Sequence, residues 1–214
     1  MAWDVTRTVR MRLDVPDDRK SDLHATNTKF QYCANRTAAW AWRYPDEDCV
    51  TSKSEAEDAI YDNLREETDY LHANLVQKAI KRATDDIDNC VDRLADGENT
   101  SKPEYTTFSI VYDKRAATYY RDKVSLATVN GRVECEYDLP NAPEGTPHGE
   151  YLLSDDYSFL TRTVHYDSET DEFYLHAAME RELDVARPEK AEHSRVLRQT
   201  PTTTRRRTLL GNSH

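Results

Sequence analysis

The chain has 214 residues, of which 37% are hydrophobic, enough for one large cored domain or two small ones. No apolar run approaches the roughly 18 residues needed to span a bilayer, and the opening Met1-Ala2-Trp3-Asp4 lacks a basic and apolar leader pattern, so the expected location is cytoplasmic with no membrane partner. The net charge is −11, which ordinarily argues against nucleic acid.

That charge has an unusual make-up. Asp (23) outnumbers Glu (17), and Arg (20) outnumbers Lys (9). An acid-rich, lysine-poor surface suits a protein working in concentrated salt, where the Debye length falls to about 3 Å at 1 M and self-repulsion is screened. Under such salt counterion release contributes little to phosphate binding, so overall charge does not exclude a nucleic-acid role. Cys33, Cys49, Cys90 and Cys135 are scattered with no CxxC pair, which fits neither a zinc ribbon nor a disulfide framework. They are expected as buried free thiols.

In chain order, residues 3–15 alternate, with Val5, Val9, Met11, Leu13 and Val15 on one side and Thr6, Thr8, Arg10, Arg12 and Asp14 on the other, which predicts a strand with a polar outer face. Pro16-Asp17-Asp18 ends it and suits a helix first turn. A helix over residues 17–42 would bury Leu23, Phe30, Cys33, Thr37 and Trp40. After a polar loop, Ser54 with Glu57 forms a capping-box signature for a helix over 54–66. Leu71, Leu75, Ala79, Ala83, Ile87, Val91 and Leu94 then predict a long amphipathic helix ending at Asp96-Gly97, with Lys78, Lys81, Arg82, Asp85, Asp86, Asp88 and Asp92 opposite.

Beyond Gly97, period-2 alternation returns at Phe108, Ile110 and Tyr112, at Val124, Leu126 and Thr128, and at Val133, Cys135, Tyr137 and Leu139. Asn130-Gly131 between the last two runs is a strong hairpin signal, both residues tolerating φ > 0. Residues 140–150 read as a loop, and residues 157–166 with 173–179 as a second hairpin. From Arg181 the periodicity fades, and the acid-free stretch 194–214 reads as a disordered basic tail. A lone first strand separated from its sheet by helices predicts an α+β chain, a β-barrel with a helical insertion. The segments are residues 1–15 for the first barrel strand, 16–100 for the insertion, 101–180 for the rest of the barrel and 181–214 for the tail.

Catalytic patterns are scarce. The seven histidines include no i,i+4 metal pair, there is no GxSxG, GxGxxG or P-loop, and five glycines make phosphate-cradling loops improbable. The Asp85, Asp86, Asp88 and Asp92 group lacks the glycine-turn spacing of a calcium loop and reads as a solvated helix face. Asn35-Arg36-Thr37 and Asn99-Thr100-Ser101 match the glycosylation sequon by chance. Trp42 and Tyr44 beside Arg43 either stack on bases or pack at a domain boundary. Gln77, Lys78 and Lys81 share one face, where Gln can read adenine and Lys can reach phosphate or guanine; an ordinary solvated face fits the same spacing.

In order, RTVRMRLDVPDD, FQYCANRTAAWAW, LHANLVQKAIKRATDDIDNCV, SKPEYTTFSIVYD, VSLATVNGRVECEYDLP and EFYLHAAME resemble the N-terminal half of TnpB (OrfB-type) proteins of insertion sequences, in their haloarchaeal form, across residues 5–180. The resemblance implies a wedge barrel interrupted by a helical recognition domain, with guide RNA and DNA as partners. Base pairing would read the target and the protein a short adjacent motif, a division of labour similar to that of CRISPR effectors. It further implies Arg10, Arg12, Lys102 and Tyr105 as RNA-contact candidates and Gln77, Lys78 and Lys81 as DNA-contact candidates, to which the base-stacking reading adds Trp42 and Tyr44. Members of that family continue into a RuvC nuclease domain opening with a strand like VLGVDLG. Here the corresponding place reads HSRVLRQT, so no catalytic residues and no cofactor are expected in this chain, Mg²⁺ belonging only to the missing domain. The expectation is a truncated or decayed member, the unperiodic Arg/Thr tail suiting a frameshift, that binds nucleic acid without being an enzyme. The alternatives are a remnant or interaction protein with no retained activity, and one half of a split nuclease whose partner is a separately encoded fragment.

Overall fold

The computed structural model describes residues 2–69, 71–139, 145–152 and 157–184. The first strand, β1 (Ala2–Asp14), shows the predicted alternation, Val9, Met11 and Leu13 being buried while Thr8, Arg10 and Arg12 face outward. It lies inside the sheet, not at an edge. On one side it pairs with β7 (Glu172–Asp184) from Ala2↔Asp184 to Leu13↔Phe173, and on the other with β5 (Gly131–Asp138) through Arg12↔Asp138 to Asp14↔Glu136.

Three helices stand between β1 and the next strand. Pro16 and the acids behind it start a 3₁₀ turn, Asp17–Arg19, that leads into α1 (Lys20–Ala41); the expected single helix over 17–42 is this turn plus α1. Leu23, Phe30, Cys33 and Thr37 are buried as their spacing requires, whereas Trp40 is only partly buried against the core. The second helix, α2 (Lys53–Glu67), is capped by Ser52, whose hydroxyl accepts from Glu55 N–H. Two overlapping S-x-x-E boxes exist, and the upstream one is used, not Ser54 with Glu57. The third, α3 (Ala73–Ala95), buries Leu75, Ala79, Ala83 and Ile87. It stops in a Schellman motif: Gly97 sits at φ +80, Gly97 N–H donates to Leu94 and Glu98 N–H to Arg93.

The remaining strands are β2 (Ser109–Tyr112), β3 (Ala117–Tyr119), β4 (Lys123–Thr128) and β6 (Ser158–Asp167). The sheet order is β2-β6-β7-β1-β5-β4-β3, and each neighbouring pair is antiparallel. The two edges converge. Tyr112 of β2 donates its hydroxyl proton to the Ala127 carbonyl at 3.0 Å, Ala127 N–H reaches Ala116 O at 2.8 Å, and the Arg162 guanidinium of β6 lies 3.5 Å from the Tyr119 ring centre on β3. The result is a nearly closed antiparallel barrel with helices against it, as the α+β reading anticipates at that level.

The hairpin between β4 and β5 differs in detail from expectation. Thr128 pairs with Gly131, so Val129 and Asn130 form the turn, and only Gly131 takes positive φ, at +96. Asn130 instead donates its amide to Asp22 at 2.7 Å, pinning the turn to α1. β7 runs through Asp184, past Arg181 where the sequence pattern fades. The tail beyond it, 185–214, and residues 140–144 of the expected loop lie outside the described residues; within 145–152 the loop contains a π-helical turn, His148–Leu152.

Helices and barrel share one continuous buried cluster. His24 of α1 meets Phe108, Tyr166 and Phe173 at ring-centre distances of 5.5, 4.5 and 5.3 Å. A row of amides on α1, at i, i+4 and i+8, holds the extended chain entering β2. Asn27 accepts from Ser109 N–H at 3.1 Å, Gln31 donates to Thr107 O at 2.8 Å, and Asn35 both donates to Tyr105 O and accepts from its N–H, each at 2.9 Å. This segment has no strand beside it there, so side-chain amides supply the partners that a ladder would otherwise give.

Candidate nucleic-acid interface

α3 runs beside β2, with Arg82 donating to Ser109 O at 3.0 Å and Asn74 donating to Asp113 at 3.1 Å. This places the first turns of α3 against the β2–β3 turn. Asn74, Gln77, Lys78 and Lys81 project at i, i+3, i+4 and i+7 from one helix face. They meet Lys53 from the start of α2, Asp113, Lys114 and Arg115 from the turn, and Arg162 from β6, around a groove of about 460 Å³. Six cations thus face one carboxylate, in a chain whose net charge is −11.

The one acid is well occupied. Asp113 accepts from Asn74 Nδ2, from Arg115 N–H at 2.8 Å and from Lys78 Nζ at 3.3 Å. Burial alone would raise its carboxyl, but these donors outweigh burial and hold it below the usual carboxylate value. Asn74 is 5% exposed. Because the Asp113 carboxylate only accepts, the Asn74 amide must turn its nitrogen there, and its Oδ1 is left as a buried acceptor with no partner among the described residues.

Electrostatics at the groove favour an anion. The first turn of α3 carries no acid, and its N-cap, His72, makes no side-chain cap bond, so the positive end of the helix is uncompensated. Burial, then Arg132 and Arg65, push the His72 imidazole down. Lys114 and Arg115 are exposed, and their side chains have no ion-pair partner among the described residues. Lys78 is shared with Asp113, Lys81 pairs with Asp85 at 2.6 Å and Lys53 with Glu57 at 3.1 Å. Arg162 forms the floor, 6% exposed and stacked on Tyr119, its guanidinium lowered by burial.

Of the DNA-contact candidates, Gln77, Lys78 and Lys81 meet in this groove; Trp42 and Tyr44 do not line it. Trp42 is half-buried against the core, and its ring meets that of the half-exposed Tyr44 edge-on at 6.0 Å. Of the RNA-contact candidates, Arg10 and Arg12 share the outer face of β1. Arg12 is tied to Asp138 and to Glu172, the Glu172 hydrogen bond foremost in raising its guanidinium. Arg10 lies 3.6 Å from the Tyr174 ring centre. Lys102 is exposed on the connection between α3 and β2. Tyr105 is 7% exposed, donates its hydroxyl proton to Asp86 at 2.8 Å and carries Arg82 over its ring at 4.9 Å. Burial, with Asp86, raises its phenol, and it acts as a strut between α3 and the incoming chain, with little surface for a ligand.

Sequence reasoning missed Lys53, Asn74, Lys114, Arg115 and Arg162. Lys114-Arg115 between two alternating runs was the available signal for the turn; Arg162 had none, since it enters the groove through β6–β2 pairing. Among the described residues no group of three His, Cys, Asp or Glu side chains is placed to hold a metal ion, and no helix is long and apolar enough to cross a membrane. The class that fold and site define is a nearly closed antiparallel barrel with helices packed against it and a cation-lined groove where they meet. No family model and no curated protein matches the chain.

Proposed function

We propose that this protein binds nucleic acid, with a phosphodiester backbone lying in the groove between α3, the start of α2 and the β2–β3 turn. The observation that carries the reading is the concentration of Lys53, Lys78, Lys81, Lys114, Arg115 and Arg162 around one neutralised carboxylate in an otherwise acidic chain. Phosphate contacts supply affinity and position, while Gln77 offers hydrogen bonds to base edges. In the terms of the TnpB resemblance, the helical insert is the recognition part, duplex DNA occupies the groove, and guide RNA lies on the outer sheet face around Arg10 with Lys102 nearby in function.

The test is fluorescence anisotropy with labelled duplex DNA and with RNA from the element's 3′ end, across a KCl series. Each lost phosphate contact should reduce the log–log salt slope for duplex DNA by about 0.9. Lys114→Glu with Arg115→Glu, both exposed and outside the core, should weaken DNA binding and flatten the slope by about 2. Unchanged affinity and slope in that variant would refute the groove as the interface.

A further inference from the structure

A second cluster of chemistry lies on the outer face of the barrel, away from the groove. Strand register brings it together: Arg10 is opposite His176, His176 opposite Thr163, and His165 opposite Tyr174. The two imidazoles stack at a ring-centre distance of 4.4 Å, and the Arg10 guanidinium covers Tyr174 beside them. The same side chains, with Asp167, Ser168 and Glu169 of the β6–β7 turn, enclose a shallow cavity of about 460 Å³. Among the described residues neither imidazole makes a hydrogen bond, so four ring nitrogens stand available beside a fixed cation.

We propose that Arg10, His165 and His176 form a proton-gated oxyanion site whose ligand is a tetrahedral dianion of the phosphate-monoester class. The physical case is one of charge. A guanidinium is held in place by its stack on Tyr174, and two imidazoles each offer one N–H when neutral and two when protonated. Burial, then neighbouring cations, lower both imidazoles: His176 feels Arg10, and His165 feels His176, Arg82 and Arg10. Both lie below the usual imidazole value, and Arg10 is the cation among the lining side chains, with Asp167 and Glu169 at the rim. A dianion supplies the opposing charge, so its binding draws protons onto the pair, and by linkage acid tightens binding.

The other charges facing the pair fit this. From β1, Arg12 is neutralised by Asp138 and Glu172. From α3, Arg82 reaches Ser109, the β2 partner of His165. The His148 ring bonds the Arg10 carbonyl at 3.2 Å. Asp167 and Glu169 are the acids at the rim. A metal ion suits the place poorly, because the guanidinium repels it and no third ligand is in position among the described residues.

The site rests on the nucleic-acid reading only for its biological ligand, a phosphate at an RNA or DNA end. Sulfate, which stays dianionic across the range, tests the chemistry alone. Calorimetric titration with sodium sulfate should show binding about tenfold or more tighter near pH 5.5 than near pH 7.5, one added charge-assisted bond being enough for that change. His Hε1 resonances of His165 and His176 should titrate at higher pH when sulfate is present. Arg10→Gln should abolish binding, and His165→Gln and His176→Gln, singly and together, should remove the pH dependence. Equal affinity at both pH values, or a pH dependence surviving in both single variants, overturns the proposal. Sulfate binding with no RNA binding would instead sink the RNA reading and leave this site standing.

Discussion

Asn35→Ala tests how the helical insert is fastened to the barrel. Asn35 satisfies both main-chain groups of Tyr105, at 2.9 Å each, where that residue is 7% exposed. Truncation leaves a buried N–H and a buried C=O, each costing about 1–3 kcal/mol. Alanine's better helix propensity returns about 0.5 kcal/mol, and water reaching part of the gap lowers the upper bound. The expected net loss is about 2–4 kcal/mol. Gln31→Ala removes one bond in a solvated setting on the same helix and should cost under about 1 kcal/mol. Asn35→Asp keeps the acceptor for Tyr105 N–H but sets a carboxylate against Tyr105 O, so it should not rescue. Urea unfolding at fixed KCl, with an unchanged m-value, measures all three. An Asn35→Ala loss no larger than that of Gln31→Ala would refute the fastening role and return the sequon residue to an ordinary surface position.

Other outcomes follow from named groups. The Asp22 carboxyl is held below its usual value by Asn130 first and Arg19 next. A depressed folded pKa means its stabilisation is present above the unfolded value of about 4 and fades as pH falls through the folded one; the stability gap between wild type and Asp22→Asn should therefore shrink between about pH 6 and pH 3, and a constant gap would refute it. Burial pushes the Cys33 and Cys135 thiols up to about 12, so iodoacetamide at pH 8 should label the half-buried Cys49 and Cys90 first, with Cys33 and Cys135 modified only on unfolding, as peptide mapping would show. Stability should rise with KCl well beyond dilute buffer, given 40 acids against 29 bases; a maximum in dilute buffer would end the salt-adaptation reading.

Much of the architecture was legible because burial writes itself into periodicity. The alternation of β1 and the three-to-four spacing of α3 both reappear in the buried residues. β3 escaped because Ala117–Tyr119 is three residues long, too short for any period. The roles of Asn27, Gln31 and Asn35 were not legible, since nothing local distinguishes an amide facing water from one facing a strandless backbone. The burial of Tyr105 was not legible either: its contact with Asp86 exists only once α3 turns back. A third of the groove's lining was legible, as the i, i+1 and i+4 set Gln77, Lys78 and Lys81; the opposing wall depends on long-range pairing.

The placement of β1 has a consequence for synthesis. A 13-residue strand made first finds its partners only at Glu136–Asp138 and at residues 173–184, while the three helices are complete by Ala95. In a nascent chain, both edges of β1 and the apolar side of Val9, Met11 and Leu13 stay unsatisfied until the last hairpin emerges. Open edges of that length invite pairing with another copy. Arg10 and Arg12 on its outer face put charge on the unpaired strand, one of the devices that discourage edge-to-edge association.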